Sequence, residues 1–412
     1  MKLSKNEIAS IYSGLAQTVS VNAVNGYIPL LALGVLGASN QQMGLITSLP
    51  SIIGMVALIP GAMWLNRVKS KKTFTVASTF ATRFLFMLIF FVPFFPDSLS
   101  PWLLVFLIAI LNFPGALANL SWQTMIGEII PEKRRGDFFS TRNRVNNIAA
   151  LIVTFGTGFY LEQYSKENSF PYQVLLLAGF AFALAEVYFL ARHKEDKQVS
   201  YKKEDKPKRK ISLEVFKHKP YTAFLICALL YNFSAQMAWS LFSIYQIKDA
   251  HATALWLSIF GVTNQAAQIL SIKWWAKYAD KYGNSMILFA AAAGMATAPA
   301  LNMVSTNLLW ITAVNFWTGI FVAGTNLLLF NQLLKASPEK NRTSYIANYN
   351  FFLSIIGFIA PQLGVFILNQ AGMHAAMNII SMIRFGSAFS FLIVAIKLEG
   401  RKITNKIYLR LR

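Results

Sequence analysis

The apolar runs of this sequence contain amide and aromatic side chains whose chemistry suits the binding of a solute. Amides both donate and accept hydrogen bonds, and the faces of Trp and Tyr stack on sugars, aromatic rings or cations. Such a set suits a neutral polar or amphiphilic solute. Buried Asn and Gln also join helices to one another in membranes, so a structural role for each residue stays open. In four of the runs these residues are Gln17, Asn22, Asn25 and Tyr27; Asn119, Trp122 and Gln123; Tyr231, Asn232, Gln236 and Trp239; and Asn315 and Asn326.

Three charged residues, Arg83, Glu186 and Arg384, lie deep within apolar runs. An isolated charge near the middle of a bilayer is costly, so each of them needs a partner or a water-filled space. We expect Arg83 to pair with Glu186, since both lie in the first half of the chain. The pair could be structural, holding outer helices together, or it could be a coupling or anion site. We expect neither a metal nor a cofactor.

The composition is that of a membrane protein. The 412 residues are 55% hydrophobic and include only 38 Lys and Arg and 17 Asp and Glu. This is roughly half the charged fraction of a soluble chain, and the mean hydropathy of +0.46 excludes a water-soluble enzyme. The net charge of +21 lies mostly in segments between apolar runs, which argues against a nucleic-acid partner. The single cysteine, Cys227, excludes an intrachain disulfide.

The apolar runs divide into twelve membrane-spanning segments. A spanning helix needs about 20 mainly apolar residues, and the longest runs are broken by polar residues such as Asn40 and Asn307 and the pair Asn369-Gln370. The runs are continuously apolar and lack the alternation of barrel strands, so helices are predicted. The predicted spans are 8–36, 43–65, 73–95, 101–127, 138–161, 172–191, 221–246, 252–276, 284–303, 307–334, 343–368 and 373–396.

Basic residues predict the orientation of these spans. Cytoplasmic loops accumulate Lys and Arg, and with both termini inside only Lys166 and Lys248 face outward. Arg142, near the start of the predicted span 138–161, counts among the basic residues of the cytoplasmic side in this arrangement. We therefore expect a multi-pass protein of the cytoplasmic membrane.

The distribution of charge also predicts the domain organisation, with six spans on each side of a polar segment. We predict a six-helix bundle at 1–192, a charged cytoplasmic linker at 193–219, a second six-helix bundle at 220–398 and a basic tail at 399–412. The bilayer and a small solute are the expected partners, and the chain is expected to work as a monomer.

Short motifs recur at equivalent places in the two halves. Ala118-Asn119-Leu120 is followed by Pro131-Glu132-Lys133-Arg134-Arg135, and Thr325-Asn326-Leu327 by Pro338-Glu339-Lys340-Asn341-Arg342. Both pairs lie at the connection between the fourth and fifth spans of their half. Two matching loops indicate a duplicated six-helix unit with a site between the repeats.

The loop after the second span resembles the signature of the major facilitator superfamily, roughly G-x-x-x-D-R-x-G-R-R. Here it reads Gly61-Ala62-Met63-Trp64-Leu65-Asn66-Arg67-Val68-Lys69-Ser70-Lys71-Lys72, with Asn in place of the acid and one extra residue after the glycine. A second copy, Asp280-Lys281-Tyr282-Gly283, keeps the acid and the glycine. Glu128 at the end of the fourth span, with Arg135 in the loop that follows, is similar to the superfamily's Glu-to-Arg pair at that place. The resemblance implies a twelve-helix carrier whose two pseudo-symmetric bundles rock about a central site.

The resemblance also implies roles for individual residues. Spans one, four, seven and ten surround the cavity in this superfamily, so the polar residues of those spans would line it. A latch closing the cytoplasmic side would use contacts at helix ends, although the same charges could simply anchor loops at the lipid headgroups. The implied latch residues are Asn66, Arg67, Glu128, Arg135, Asp280 and Lys281.

The predicted function is secondary transport of a small neutral-polar or amphiphilic solute by alternating access. Spans one, seven and ten contain no Asp or Glu, so the carboxylate typical of proton-coupled members is missing there. A proton-coupled efflux antiporter for drugs and other amphiphiles remains an alternative. A membrane-embedded enzyme acting on lipids, or a sensor with a carrier fold, is an alternative of another class.

Overall fold

The computed structural model describes residues 4–65, 67–68, 70–194, 213–339 and 342–394, and this part of the chain consists of helices and connections without a strand. Twelve long helices follow one another along these residues. The first six are α1 (Lys5–Val35), α2 (Asn40–Leu65), α3 (Lys71–Phe94), α4 (Ser100–Ile129), α5 (Glu132–Glu162) and α6 (Phe170–Ala191). The next four are α7 (Lys219–Asp249), α8 (Ala254–Tyr282), α9 (Asn284–Asn302) and α10 (Leu308–Ala336). The last two, α11 (342–371) and α12 (373–394), are separated by a bend at Gly372.

The number of spans predicted from the apolar runs is confirmed. Nine helical stretches of the described residues are long and apolar enough to cross a membrane, and the one at Ser344–Ile393 contains both α11 and α12. The two further helices, α5 and α8, are of similar length and more polar. Some boundaries differ from the prediction: α5 begins at Glu132 rather than at 138, and α8 ends at Tyr282 rather than at 276. The last break falls at Gly372 (φ 79°, ψ 169°), within the predicted gap but not at Asn369-Gln370. A backbone with positive φ favours glycine, whereas Asn and Gln are tolerated inside a helix.

The chain divides into two compact units. Unit 1 comprises Met1–Asp205 with His251–Ser258, and unit 2 comprises Lys206–Ala250 with Ile259–Arg412. Helices α1 to α6 belong to unit 1, and α7 to α12 belong to unit 2 apart from the first residues of α8. Most of the predicted linker, at 195–212, and the predicted tail at 399–412 lie outside the described residues.

In unit 1, α1 packs against α5 and α6, while α4 packs against α2 and α3. Close approach between helices depends on small residues. A side chain at Gly179 of α6 would lie 3.1 Å from the carbonyl oxygen of Ser20 in α1. Along α3, Thr75, Ser78 and Thr82 donate their hydroxyl hydrogens to carbonyls four residues earlier, which satisfies these buried groups within their own helix.

In unit 2, the α11–α12 stretch packs against α7 and α9, and α10 packs against α7 and α9. Its core is a continuous apolar cluster that includes Tyr221 and Ala228 of α7, Leu288 of α9, Leu328 of α10 and Phe391 of α12.

Large apolar side chains cover much of the outside of the helices. Examples are Phe94, Ile152, Leu309 and Met382, which are 67–72% exposed. An apolar surface of this extent is unfavourable in water and favourable against lipid tails. The chain is therefore a multi-pass membrane protein.

Candidate functional site

A cavity of about 490 Å³ lies within unit 1 and is walled by α1, α3, α4, α5 and α6. Its wall contains amide and hydroxyl groups together with an indole, in a bundle that is otherwise mainly apolar. The uncharged polar residues that α1 and α3 contribute are Ser13, Gln17, Asn25, Thr79 and Thr82. Helix α4 contributes Asn112, Asn119 and Trp122.

The cavity brings together four of the seven residues that the sequence places in spans one and four: Gln17, Asn25, Asn119 and Trp122. The other three lie outside its wall. Asn22 donates to the carbonyl of Thr18 in its own helix at 2.8 Å. The hydroxyl of Tyr27 is buried against Thr154 and Ser258, and Gln123 donates to Asn119 at 3.1 Å.

An ion pair lies in the same wall. Nε of Arg83 donates to Oε2 of Glu186 at 2.8 Å, and Nη2 donates to Oε1 at 3.3 Å. The side chain of Arg83 is 12% exposed and that of Glu186 is 3% exposed. The two-pronged contact satisfies both carboxylate oxygens, so the pair is close to neutral as a unit.

Arg142 is a third charged residue in the wall, although the sequence analysis counted it only among the basic residues of the cytoplasmic side. It lies within α5, as the predicted span 138–161 implies, and it lines the cavity. Its guanidinium carbon lies 4.4 Å from the centre of the Trp122 ring. Its Nε donates to the carbonyl of Ser10 in α1 at 3.3 Å. The sequence pattern could not distinguish Arg142 from Arg144, since both are basic residues of the same helix. In the structure Arg142 is buried, whereas Arg144 is exposed.

Glycine makes room for this guanidinium. A side chain at Gly14 of α1 would lie 2.7–2.9 Å from three guanidinium atoms of Arg142. The guanidinium is thus seated between the backbone of α1 and the Trp122 ring of α4.

The residues of spans seven and ten lie in unit 2. Asn232 donates to Ala228 at 2.7 Å and to the hydroxyl of Tyr349 at 3.4 Å. Asn315 donates to the carbonyl of Ile311 at 2.8 Å. Tyr231 is buried, Gln236 is half-buried, and Trp239 and Asn326 are exposed.

Arg384 of α12 is fully buried in unit 2 and bonds to backbone oxygens. Its Nε donates to Ser234 at 3.1 Å, Nη1 to Met295 at 3.3 Å and Nη2 to Ala235 at 2.5 Å. Within the described residues it makes no ion pair. It therefore ties α12 to α7 and α9 by hydrogen bonds.

A scan of family models matches the Major Facilitator Superfamily over residues 11–361 and 224–406. The chain belongs to the major facilitator superfamily. This confirms the resemblance carried by the loop motifs, and the chain has the superfamily's twelve-helix fold with six long helices in each unit.

Solved structures of superfamily transporters have the same fold. The chain is similar to the nucleoside transporter NupG, with a TM-score of 0.71 and 12% identity over 94% of this chain and 98% of that one. It is also similar to a D-xylose–proton symporter, with a TM-score of 0.68 and 14% identity over 94% and 96%. A bacterial homologue of the lysosomal transporter Spinster gives a TM-score of 0.69 and 13% identity over 95% and 98%. A comparison with curated proteins finds no match.

The superfamily loop of unit 1 is held by contacts that differ from the pair implied by the resemblance. Glu128 at the end of α4 pairs with Lys71 at the start of α3, not with Arg135. Arg135 instead donates to the backbone oxygens of Gly127 and, at 3.0 Å, Ile130. A cation there caps the carbonyl end of α4, where the helix dipole favours positive charge. Asn66 lies outside the described residues, and Arg67 is exposed.

The corresponding loop of unit 2 borders a second cavity, of about 460 Å³, at the ends of α8, α9, α10 and α11. Asp280, Asn284, Lys335 and Arg342 are among the residues that line it. Lys281 lies outside this wall, with its ammonium 4.9 Å from the centre of the Tyr282 ring.

A buried acid at the start of α1 escaped the sequence analysis. Glu7 is 1% exposed, and its Oε2 lies 2.8 Å from Nη2 of Arg134 in α5. The same oxygen of Glu7 accepts a hydrogen bond from the backbone N–H of Ser4. In return, the hydroxyl oxygen of Ser4 accepts a hydrogen bond from the backbone N–H of Glu7. The signal was present in the sequence, because Ser followed three residues later by Glu is typical of a capping box.

Proposed function

We propose that the chain is a secondary transporter that moves a small polar solute across the cytoplasmic membrane by alternating access. The observation that supports this most directly is the polar cavity of unit 1. Its volume of about 490 Å³ suits a small molecule, and its wall offers donors and acceptors from five helices. Superfamily members share a fold built for exposing a site alternately to the two sides.

The amides and hydroxyls of the wall would replace the water molecules around a polar solute. Gln17, Asn25 and Asn119 each offer a donor and an acceptor, and the hydroxyls of Thr79 and Thr82 add further groups. These groups would match the uncharged polar parts of the neutral-polar or amphiphilic solute expected from the sequence. The corresponding role of Tyr231, Asn232, Gln236, Trp239, Asn315 and Asn326 in unit 2 stays a prediction.

The helix-end charges are proposed to act as the latch of the cytoplasmic side. Such a contact must hold one state and yet break during each cycle, which suits exposed ion pairs of modest strength. The pairing of Lys71 with Glu128 is one of this kind, with side chains 30% and 42% exposed. We propose that the same latch also includes Arg67, Arg135, Asp280 and Lys281.

A proton-coupled antiporter is the second candidate, and Glu186 favours it. Among the described residues that wall the unit 1 cavity, Glu186 is the only acid. A carboxyl group that gains and loses a proton as its exposure changes can couple transport to a proton gradient. Its pairing with Arg83 opposes this role, because an adjacent cation stabilises the charged carboxylate.

We further propose that both termini lie in the cytoplasm and that the monomer is the working unit. The excess of Lys and Arg in the connections that then face inward supports this orientation. The transporter fold favours transport over the lipid-acting enzyme or the sensor that the sequence left open.

Flux into proteoliposomes, measured with and without an imposed pH gradient, tests the function. Gradient-independent exchange would support a facilitator, and gradient-driven accumulation would support the antiporter. Glu186→Gln then tests the carrier of the proton, with Glu167→Gln as the matched control at an exposed position between α5 and α6. Proton-driven transport that survives in Glu186→Gln would exclude Glu186 as the coupling residue. Absence of any solute flux from a broad panel would contradict the transporter proposal.

A further inference from the structure

The guanidinium of Arg142 is held in place with most of its donors unused. Arg142 is 8% exposed. Within the described part of the chain its only hydrogen bond runs from Nε to the carbonyl of Ser10. The two terminal nitrogens carry four further N–H groups, and the residue lines the cavity.

The seat of Arg142 is shaped for a flat cation. Gly14 leaves the space that one face of the guanidinium occupies, and the ring of Trp122 covers the guanidinium from α4. Trp122 is itself packed edge-on against Phe139, with ring centres 6.4 Å apart. Packing of this kind fixes the plane of the guanidinium and therefore the direction of its N–H groups.

The charges of the cavity wall do not balance. Glu186 is engaged by two donors of Arg83, which uses both of its oxygens. Arg142 interacts with Glu186 electrostatically but makes no ion pair within 4.0 Å among the described residues. Among the described residues two cations and one acid line the wall, so a positive charge is left over at a buried position. Such a charge is costly unless a counter-charge or water meets it.

We propose that the unit 1 cavity binds an oxyanion of the solute, a carboxylate or phosphoryl group, at the terminal nitrogens of Arg142. This rests on the transporter function proposed above and names its solute class. A guanidinium offers two parallel N–H groups that match two oxygens of an oxyanion. Arg83 is the less suitable anchor, because Glu186 already occupies its fork.

The remainder of the solute would lie among the uncharged groups of the wall. Gln17 and Asn119 supply donors and acceptors around the same cavity, and the hydroxyl oxygen of Thr82 can still accept. The amides would therefore bind the uncharged polar part of the solute, and Arg142 would bind its charged end. A solute that is neutral throughout would leave the charge of Arg142 unmatched.

Binding to the purified full-length protein in detergent tests this proposal. The probes are lactate against lactamide and glycerol 3-phosphate against glycerol, added at constant ionic strength while the midpoint of thermal unfolding is measured. At least one anion should raise the midpoint more than its neutral counterpart, and the pair that responds identifies the oxyanion. In Arg142→Gln the half-saturating concentration of that anion should rise at least tenfold. Arg144→Gln removes the same charge from an exposed position of α5 and should leave it unchanged.

Two further variants keep the test decisive. Arg142→Lys retains the charge without the fork, so the protein should fold and bind the anion more weakly than the wild type. Glu186→Gln removes the only acid among the described residues of the wall and should tighten anion binding only while Arg142 is present. Equal tightening in the double variant Glu186→Gln with Arg142→Gln would place the anion at the freed fork of Arg83 and overturn the proposal. Equal responses to anions and neutral probes, or equal effects of Arg142→Gln and Arg144→Gln, would overturn the proposal.

Flux measurements separate this proposal from the transporter function. Binding of the anion without any counterflow in proteoliposomes would reject transport and keep the oxyanion site. Counterflow of a neutral probe that is equally fast in Arg142→Gln would reject the oxyanion site and keep transport.

Discussion

Arg83 of α3 and Glu186 of α6 form a buried two-pronged ion pair, with Nε and Oε2 2.8 Å apart. The pair therefore links α3 to α6, two helices that are far apart in the sequence. Removal of one partner leaves a buried charge uncompensated, which costs about 3–5 kcal/mol. Arg83→Gln alone should therefore lower the unfolding midpoint strongly.

The double variant Arg83→Gln with Glu186→Gln checks the cause of that loss. It leaves no charge unpaired at this place, so it should be more stable than Arg83→Gln alone. The control is Lys71→Gln at the exposed pair with Glu128, where a change of about 0–1 kcal/mol is expected. Thermal unfolding followed by tryptophan fluorescence measures all three. A double variant less stable than Arg83→Gln would show that the ion pair is not what stabilises this contact.

Replacement of Gly14 by Ala tests the seat of Arg142. The new methyl group would lie 2.7–2.9 Å from the guanidinium, so either the side chain or α1 must move. We expect Gly14→Ala to lower the unfolding midpoint. Gly156→Ala in α5 is the matched control, because nothing lies within 4 Å of its added methyl group. Ala favours a helix over Gly by about 1 kcal/mol, so this control should be neutral or more stable. Equal effects of the two changes would argue against a tight seat.

His193, just after α6, should make stability depend on pH. It is 1% exposed, its Nδ1 contacts the carbonyl of Leu190 at 3.0 Å, and its Nε2 has no partner within the described residues. Burial lowers the pKa of His193, and the nearby cations Lys72 and Arg142 lower it further. The unfolded chain therefore binds the proton more readily than the folded protein does. Stability should be complete above about pH 6.5 and fall as the pH drops toward the lowered folded pKa.

His193→Gln should flatten this pH dependence below about pH 6.5. His374→Gln is the control, since His374 is exposed. Unfolding midpoints across this range make the comparison. An unchanged slope in His193→Gln would assign the pH dependence to other groups.

Glu7 serves both as a helix cap and as an ion-pair partner, and two substitutions separate the roles. Glu7→Gln keeps the capping contact with Ser4 and removes the ionic part of the contact with Arg134. Ser4→Ala removes the hydroxyl cap and should cost about 1 kcal/mol. Because Glu7 is buried, Glu7→Gln should cost more than Ser4→Ala, as measured by thermal unfolding. The reverse order would indicate that capping dominates.

Asp280→Asn should shift the carrier toward the state that is open to the cytoplasm, because it weakens the proposed latch. The measurement is labelling of a cysteine at Ser13 or Thr82 in the unit 1 cavity, in a background where Cys227 is replaced. Asp97→Asn removes an exposed acid before α4 and is the control. An unchanged labelling rate from the cytoplasmic side would contradict a latch at Asp280.

The sequence by itself determined the number of helices, most of their ends and the superfamily. These follow from the length of apolar runs and from local motifs, which act within one helix or one loop. The pairing of Arg83 with Glu186 was also within reach, because few deep charges existed to choose from. The capping box at Ser4 and Glu7 was readable for the same local reason, although it was missed.

The tertiary structure alone decided which polar residues share a wall. Gln17, Asn119 and Trp122 face one cavity, whereas Asn22 bonds within its own helix. Arg142 lies in the predicted span 138–161, but only the packing of α1 and α4 around it places its guanidinium in the cavity wall. Helical periodicity states which residues share a face, but the partner of that face depends on how neighbouring helices pack. The unbalanced positive charge of the cavity arises from that packing, so it cannot be predicted by counting charged residues in the sequence.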